Sequence, residues 1–222
     1  MNLIEAIQTR HSVREYSMTF LSQKVIDDFN QEIEKINREN DLHIQFFNGN
    51  PDYFQSKKTN YGHFKNVMNY FAMVGPQENE LDELIGYYGE HLVLKAQQYG
   101  LNTCWVGMPP KDVHKKVKVE DGEKFVCLIT IGYGLNQGKT QKKKTVYKIC
   151  PNYKDMPDWF KAGVDCAILA PSAMNQQKFK FYFEDSKVEI RPGFGPFSKV
   201  DAGIAKYHFE VGAGTTNINW LD

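Results

Sequence analysis

A spacing that occurs twice in the chain constrains its fold more than any other feature. GYYGEHLVL at 86–94 and GIAKYHFEV at 203–211 each contain a glycine, four further residues, a histidine and an apolar residue, with an offset of 117 residues. An amphipathic helix leading into a short aromatic strand also occurs twice, in LSQKVIDDFNQEIEKI…HIQFF and in DMPDWFKAGVDCAILA…FKFYF. Because the matches come in the same order, we interpret them as a degenerate internal duplication. The chain should therefore form two pseudo-symmetric halves.

Hydrophobic periodicity predicts alternating helices and strands. Apolar residues at helical spacing occur around 110–117 and in five longer segments: LIEAIQ, LSQKVIDDFNQEIEKINREN, ELDELIGYYGEHLVLKAQQYG, DMPDWFKAGVDCAILA and AGIAKYHFEVGAG. Strands are predicted at HIQFF, VMNYFAMVG and KFVCLITIGYG, with a hairpin formed by FKFYFED and KVEIRP. This order predicts an α+β fold with a mixed or antiparallel central sheet flanked by helices. The pattern restarts after Pro151, which gives sequence halves 1–150 and 151–222, but we expect one interwoven unit over 1–222.

Composition excludes several classes of partner. The 222 residues, 41% of them hydrophobic, can bury a substantial core. With 27 basic and 27 acidic residues, the charge gives no reason to expect nucleic acid or an anionic membrane as partner. No apolar run approaches the roughly 18 residues of a membrane span, and the N-terminus does not resemble a signal peptide. The four cysteines include no CxxC pair, so we expect reduced core thiols in a cytoplasmic protein, and no metal site.

Two polar motifs stand at opposite ends of the chain, TRHSVREY at 9–16 and ILAPSAMNQQKF at 168–179. Arg10 offers a forked guanidinium and Ser12 a hydroxyl, which together suit an anion such as a phosphate. The alternative is a basic helix end that complements the helix dipole. Asn175 and Gln177 offer amides that both donate and accept hydrogen bonds. The alternative for these two is an ordinary turn after a helix.

These motifs resemble those of the nitroreductase family of flavin enzymes. Members open with R-[RH]-S-x-R/K and carry a helix ending in A-P-S-x-x-N-x-Q, matched by residues 10–14 and 170–177. They also have a core helix ending in G-L-x-T/S-x-W-x-G, matched by residues 100–107, and then a strand ending in Gly-Tyr, matched by Gly132 and Tyr133. In typical members the A-P-S motif precedes the core helix, whereas here it follows it. That order resembles a divergent, internally duplicated branch in which one chain supplies what two subunits supply elsewhere.

The resemblance implies FMN as the cofactor. The implied FMN-binding residues are Arg10, His11, Ser12, Arg14, Gly107, Lys142, Lys144, Pro171, Ser172, Asn175 and Gln177. The cationic residues and Ser12 would hold the phosphate, with the alternative that Arg14 pairs with Glu15 or an acidic surface. Pro171 and Ser172 would form a rigid corner against the ring or ribityl chain, and the two amides would face the pyrimidine edge. The backbone N–H of Gly107 would approach N5. Family members often continue with Pro and Trp where this chain has Lys-Phe after the motif, so ring-edge packing should differ.

The implied activity is that of an FMN-dependent oxidoreductase, which reduces nitroaromatic or quinone acceptors with NAD(P)H by ping-pong hydride transfer. No GxGxxG follows a predicted strand, so we expect NAD(P)H to bind only transiently. No side chain is predicted to be catalytic, because the cofactor carries the difficult step. His91 and His208 lie on apolar helix faces and are expected to be core residues. The partner would be a small-molecule electron acceptor, and the chain a monomer or homodimer.

Two alternatives remain open. The chain could be a flavin-binding module, such as a sensor or carrier, without reductase turnover. A lid at 53–64 whose aromatics, Tyr53, Phe54, Tyr61 and Phe64, block the flavin face would favour that reading. It could also be a fold that has lost FMN and serves a structural role.

Overall fold

The computed structural model describes residues 1–49, 63–108, 115–214 and 218–221. The elements are, in chain order, α1 (Leu3–Thr9), α2 (Gln23–Asn40), β1 (Gln45–Phe47), β2 (Asn69–Pro76), α3 (Leu81–Gln98), β3 (Asn102–Val106), β4 (Glu123–Gly132), α4 (Val146–Ile149), α5 (Asp158–Ala167), β5 (Phe179–Glu184), β6 (Lys187–Pro192) and α6 (Ser198–Ala213). The predicted α+β class is confirmed, with antiparallel strand pairing. The predicted helix at 110–117 and loop at 48–65 fall largely outside the described residues.

The chain divides into two compact units, each built from separate segments. The first unit comprises Met1–Thr9, Asp82–His91 and Thr140–Asp222, and the second comprises Arg10–Leu81 and Leu92–Lys139. Helix α3 contributes residues to both. The expectation of one interwoven unit over 1–222 stays a prediction. No helix in the described ranges has the length and apolarity that crossing a membrane requires.

The second unit is built on a four-stranded sheet in the order β1-β2-β4-β3. Strand β2 is almost entirely buried, as its continuous apolar sequence predicts. Helix α2 packs on the sheet through Phe29, whose ring centroid lies 5.3 Å from that of Phe71. This helix begins as predicted, because the Ser22 hydroxyl accepts a hydrogen bond from the Val25 N–H at 3.4 Å. The sheet thus provides a rigid base for the segment that follows α1.

The first unit contains the β5–β6 hairpin and the packed helices α5 and α6. Aromatic rings fill its core: Phe209 stacks on Phe181 with centroids 4.8 Å apart and meets Phe160 edge-on at 5.0 Å. Gly163 lets α5 approach α6 closely, since a Cβ there would come within 2.7 Å of the Phe209 ring. A rigid aromatic core therefore underlies the segment between α5 and β5.

Within the first unit, α3 and α6 cross with local twofold pseudo-symmetry. A Cβ added at Gly86 would overlap the Val200 carbonyl oxygen, and one added at Gly203 would overlap that of Glu83. Each contact is the other displaced by the 117-residue offset of the repeated spacing. The histidines follow the same rule, because His91 contacts residue 207 and His208 contacts residue 90. The repeated spacing therefore marks the crossing point of a pseudo-symmetric helix pair.

Candidate functional site

The segment that carries the first polar motif runs beside the edge of the four-stranded sheet. Ser12 forms a parallel bridge with Thr103 of β3, and the Val13 N–H donates to the Thr103 carbonyl at 3.0 Å. Tyr16 anchors the segment further on: its hydroxyl donates to the Val13 carbonyl at 2.6 Å and lies 2.8 Å from Thr130 Oγ1. Pairing with the sheet therefore fixes the conformation of this segment, whatever its own secondary-structure propensity.

Arg10 lies at the start of this segment and is only 7% exposed. Its Nε has no hydrogen-bond partner, and no salt bridge joins Arg10 to any acidic residue in the described parts of the chain. A buried guanidinium without a counter-charge is costly, because desolvation is not offset by hydrogen bonds or attraction. The arrangement is the one expected of a cationic site that takes an anionic ligand.

Ser12, Arg14 and Arg10 all influence the pKa of the buried Cys104 thiol. Burial raises the pKa of Cys104, while the charge of Arg14, a hydrogen bond from Ser12 and the charge of Arg10 each lower it. Arg14 is exposed, with its guanidinium carbon 6.0 Å from the Phe64 ring centroid. The alternative pairing with Glu15 is not seen, since Glu15 pairs with Lys65 at 2.7 Å.

A glycine-containing turn after β4 covers His11, and sequence reasoning gave it no part in the site. Gly138 has φ +73°, and a Cβ there would come within 2.7 Å of His11 Cβ. The turn is fixed by Asn102, whose Oδ1 accepts from the Gly134 N–H at 3.1 Å and whose Nδ2 donates to Gln137 Oε1 at 3.2 Å. The signal available was GYGLNQG, in which one glycine ends the strongest strand and two more follow it. The backbone of 134–138 therefore packs against the candidate site residues His11 and Ser12.

Gly107 also belongs to the second unit and directly follows β3. It is half-buried. The predicted contact of its backbone N–H with a flavin ring stays a prediction. Residues 109–114, which follow shortly after it, lie outside the described ranges. Of the aromatics predicted to form a lid, Tyr53, Phe54 and Tyr61 also lie outside those ranges. Phe64 is 3% exposed and packs in the core of the second unit, and the candidate lid stays a prediction.

The second polar motif forms a strained turn in the first unit. Met174, Asn175 and Gln177 have φ of 50°, 55° and 45°, a left-handed backbone that costs non-glycine residues energy. The turn is closed by the Ser172 hydroxyl, which accepts from the Gln177 N–H at 2.9 Å. Pro171 sits just before it, between helix α5 and the turn. Strain of this kind is kept where neighbouring contacts over-determine the backbone.

Gln177 and Asn175 use their amides within the chain. Gln177 is 1% exposed; its Oε1 accepts from the Lys144 N–H at 2.8 Å and its Nε2 donates to the Ile168 carbonyl at 2.7 Å. Lys144 Nζ donates in turn to the Gln177 carbonyl at 2.7 Å, and Asn175 Nδ2 donates to the Lys142 carbonyl at 2.8 Å. The predicted basic pair is thus brought against the motif. The amide of Gln177 fixes this arrangement, which favours a positioning role over direct contact with a ring.

Asp201 supports the same turn and was missed in the sequence. Its Oδ1 accepts from the Ala173 N–H at 2.8 Å, and the residue is 4% exposed. Burial raises the pKa of Asp201 to about 6, against the opposing effects of the Ala173 N–H and the charge of Lys178. The only signal was an acidic residue within the apolar run VDAGIA.

His208 and His91 lie in the helix pair formed by α3 and α6. His208 is fully buried, with Nε2 2.8 Å from Glu90 Oε1 and Nδ1 3.1 Å from the Cys166 carbonyl. His91 is half-buried and lies 2.8 Å from the Tyr207 hydroxyl. Both are satisfied within the helix pair, as expected of structural histidines.

Comparison with known proteins adds to this geometry. A family model described as "Putative TM nitroreductase" matches residues 2–213, whereas no curated protein matches the chain.

A putative nitroreductase from Thermotoga maritima has a TM-score of 0.69 and 24% identity, covering 97% of this chain and 85% of its own. An FMN-dependent nitroreductase from Clostridium difficile has a TM-score of 0.50 and 15% identity, covering 69% of this chain and 97% of its own. A putative NADH oxidase from Clostridium acetobutylicum has a TM-score of 0.50 and 17% identity, with coverages of 65% and 96%. The solved structures share the fold, and because the family model spans nearly the whole chain, the protein belongs to the "Putative TM nitroreductase" family.

Proposed function

We propose that the protein is an FMN-dependent oxidoreductase that reduces planar electrophiles, such as nitroaromatics or quinones, with NAD(P)H. The observation that carries the proposal is Arg10, a buried guanidinium whose Nε finds no hydrogen-bond partner among the residues that the structure describes. Family membership supports oxidoreductase activity, and one protein of similar fold is an FMN-dependent nitroreductase.

The residues of the second unit fit a terminal phosphate. A phosphate would neutralise Arg10 and satisfy its Nε, and charge-assisted bonds of this type are among the stronger ones in proteins. Ser12 would add a hydroxyl and Arg14 a second charge from the same segment. His11 would contribute through contact, since the turn at Gly138 holds it in place. The Gly107 N–H would approach the ring, as the family resemblance implies.

In the first unit, the strained turn would present a fixed polar surface to the flavin. Pro171 and Ser172 would form its corner, and Asn175 would face the ring edge. Lys142 and Lys144 would add positive charge, while Gln177 would hold Lys144 in position. These assignments rest on the motif resemblance, and the hydrogen bonds explain why the turn keeps its shape.

When bound, FMN would supply the hydride-transfer chemistry between NAD(P)H and the acceptor. The chain's own task is to bind, orient and neutralise. Since no side chain in either motif is placed as an obligatory acid or base, protons would come from water.

Turnover tests the proposal. The purified protein, supplied with FMN and then with NADH or NADPH without oxygen, should show flavin absorption that bleaches and returns when a quinone is added. The double variant Arg10→Ala, Asn175→Ala should keep its far-UV circular dichroism and lose the flavin bands. Arg38→Ala, which removes an exposed arginine on α2, is the matched control. Flavin bands retained by the double variant would sink the site assignment, and bands that never bleach would sink the reductase.

A further inference from the structure

Two segments of the first unit bring six lysines together around the second motif. They are Lys142, Lys143, Lys144 and Lys148 from one segment and Lys178 and Lys180 from the other. Direct bonds join the segments: the Lys144 N–H donates to Gln177 Oε1, and Lys144 Nζ donates to the Gln177 carbonyl, next to Lys178. Lys143 Nζ donates to the Leu169 carbonyl at 3.1 Å. The lysines therefore share one region and are not scattered charges.

Their charges act on one another. Burial lowers the pKa of Lys144, and the positive charges of Lys148, Lys178 and Lys180 lower it further. Phe179 and Phe181 face the core of the first unit, so Lys178 and Lys180 project from the opposite, exposed face of the hairpin. Repulsion of this kind is relieved when a polyanion binds.

Few acidic groups compensate these lysines. No salt bridge involves Lys148, Lys178 or Lys180 within the described ranges, and Asp201 is the acidic group whose pKa responds to Lys178. We name the set Lys148, Lys178 and Lys180, which lies beside Lys144 without including it, the lysine cluster. Its excess of positive charge favours a ligand that carries more than one phosphate.

An exposed aromatic ring adjoins the lysine cluster. Phe194 is 96% exposed on the loop GFGPF, although its backbone is fixed. The Gly193 N–H donates to the Lys178 carbonyl at 2.7 Å, and Lys178 Nζ donates to the Phe194 carbonyl at 3.2 Å. Gly195, with φ +127°, allows the loop to turn there. A phenyl ring held in solvent loses the stabilisation that burial of its apolar surface would give. Such a ring is suited to stacking on a flat ligand.

We propose that the lysine cluster and Phe194 bind NADPH, with Phe194 stacked on one of its rings and the lysines on its phosphates. This inference rests on the proposed function, in which the bound NADPH serves as the reductant. NADPH carries one phosphate more than NADH, so the cluster favours it. A single-stranded nucleic acid also combines rings and phosphates, but the chain as a whole carries no net charge and the loop offers one fully exposed ring, that of Phe194.

Calorimetric titration with NADP⁺, NAD⁺ and 2′,5′-ADP tests the site without any turnover. Wild-type protein should bind NADP⁺ about tenfold more tightly than NAD⁺, since one added charged contact is worth about this factor. Lys180→Gln should weaken NADP⁺ and 2′,5′-ADP about fivefold, and Phe194→Ala should weaken both dinucleotides several-fold. Lys187→Gln, at the turn end of the same hairpin, removes the same charge and should change nothing. Phe20→Ala, which removes an exposed phenyl ring in the second unit, is the control for Phe194.

Equal effects of Lys180→Gln and Lys187→Gln would overturn the inference, as would equal binding of NADP⁺ and NAD⁺. Tight binding of a short oligonucleotide with no binding of NADP⁺ would also overturn it. FMN affinity, measured in the same variants, separates the two proposals. Protein that binds NADP⁺ and no FMN would contradict the proposed function alone, and protein that binds FMN and no NADP⁺ would contradict this inference alone.

Discussion

Two buried polar sites, one in each unit, differ in whether the chain itself satisfies them. In the first unit, His208 and Glu90 are fully buried, and both ring nitrogens of the histidine have partners. Nδ1 lies 3.1 Å from the Cys166 carbonyl oxygen, and Nε2 lies 2.8 Å from Glu90 Oε1. In the second unit, Arg10 is nearly as buried, yet its Nε has no hydrogen-bond partner in the described part of the chain. Burial of a polar group is costly unless it is paired, so the first site serves the fold, and the second motivates our proposal that Arg10 binds an anionic ligand.

The largest effect should come from breaking the satisfied site. Glu90→Ala leaves His208 buried without its carboxylate and should lower the free energy of unfolding by about 3 kcal/mol. Urea unfolding followed by circular dichroism measures it. Glu39→Ala, at an exposed position on α2, should change the free energy by less than about 0.5 kcal/mol. A similar small loss for both variants would mean that burial of the pair does not matter.

A smaller effect is expected at Asp201, whose carboxyl is buried but only partly compensated. The folded-state pKa of about 6 lies above the usual 3.8, so folding favours the protonated form. That stabilisation is fully present below about pH 4 and is lost as the pH rises through about 6. Asp201→Asn should therefore flatten the decline in Tm between pH 4 and 7 and gain about 2 kcal/mol at pH 7. A wild-type Tm that does not fall over this range would contradict the assignment.

Removing the unsatisfied charge should have the opposite sign from breaking the satisfied pair. Arg10→Met keeps an elongated side chain and removes the buried cation, so the ligand-free protein should gain about 1 kcal/mol of stability. The gain should reverse in excess FMN, because wild type is then stabilised by about 2.7 kcal/mol at a concentration of 100 Kd. Thermal unfolding with and without FMN measures both. A loss of stability in the ligand-free variant would show that Arg10 has a structural partner after all.

The smallest effect should come from a charge pair that is exposed. Lys65 and Glu15 lie 2.7 Å apart, with side chains 63% and 39% exposed. Lys65→Gln should change the free energy of unfolding by less than about 0.5 kcal/mol, because water screens such pairs. Urea unfolding at low and high salt checks this. A loss above about 1 kcal/mol would show that exposure is not what separates these sites.

Sequence patterns predicted the elements whose signal is local. Strand β4 has a long apolar sequence, and α2 has both periodicity and its Ser22 cap. No strand is predicted at β3, because NTCWV has no clear alternation of apolar and polar residues. Its pairing with β4, which is distant in sequence, makes it a strand. The repeated glycine–histidine spacing predicted pseudo-symmetry. Each helix of the crossing pair needs a glycine at the equivalent position, because each glycine packs against the backbone of the other helix.

The sequence predicted which residue types form the candidate site, but it did not predict which of them are buried or what they bond to. The motifs identified Arg10 and Gln177, but nothing local shows that one is buried without a partner and the other buried with its amide satisfied. Both facts depend on segments distant in sequence. Asp201 was missed for the same reason, because its partner Ala173 lies 28 residues away.

The most direct test is the Kd for FMN of wild type, Arg10→Met and Arg38→Met, measured by flavin fluorescence quenching. The account predicts that Arg10→Met weakens FMN binding at least a hundredfold, about 2.7 kcal/mol, while Arg38→Met leaves it unchanged. Equal affinity in all three proteins, or no FMN binding by wild type, would contradict the claim that the buried guanidinium is the anchor of a flavin site.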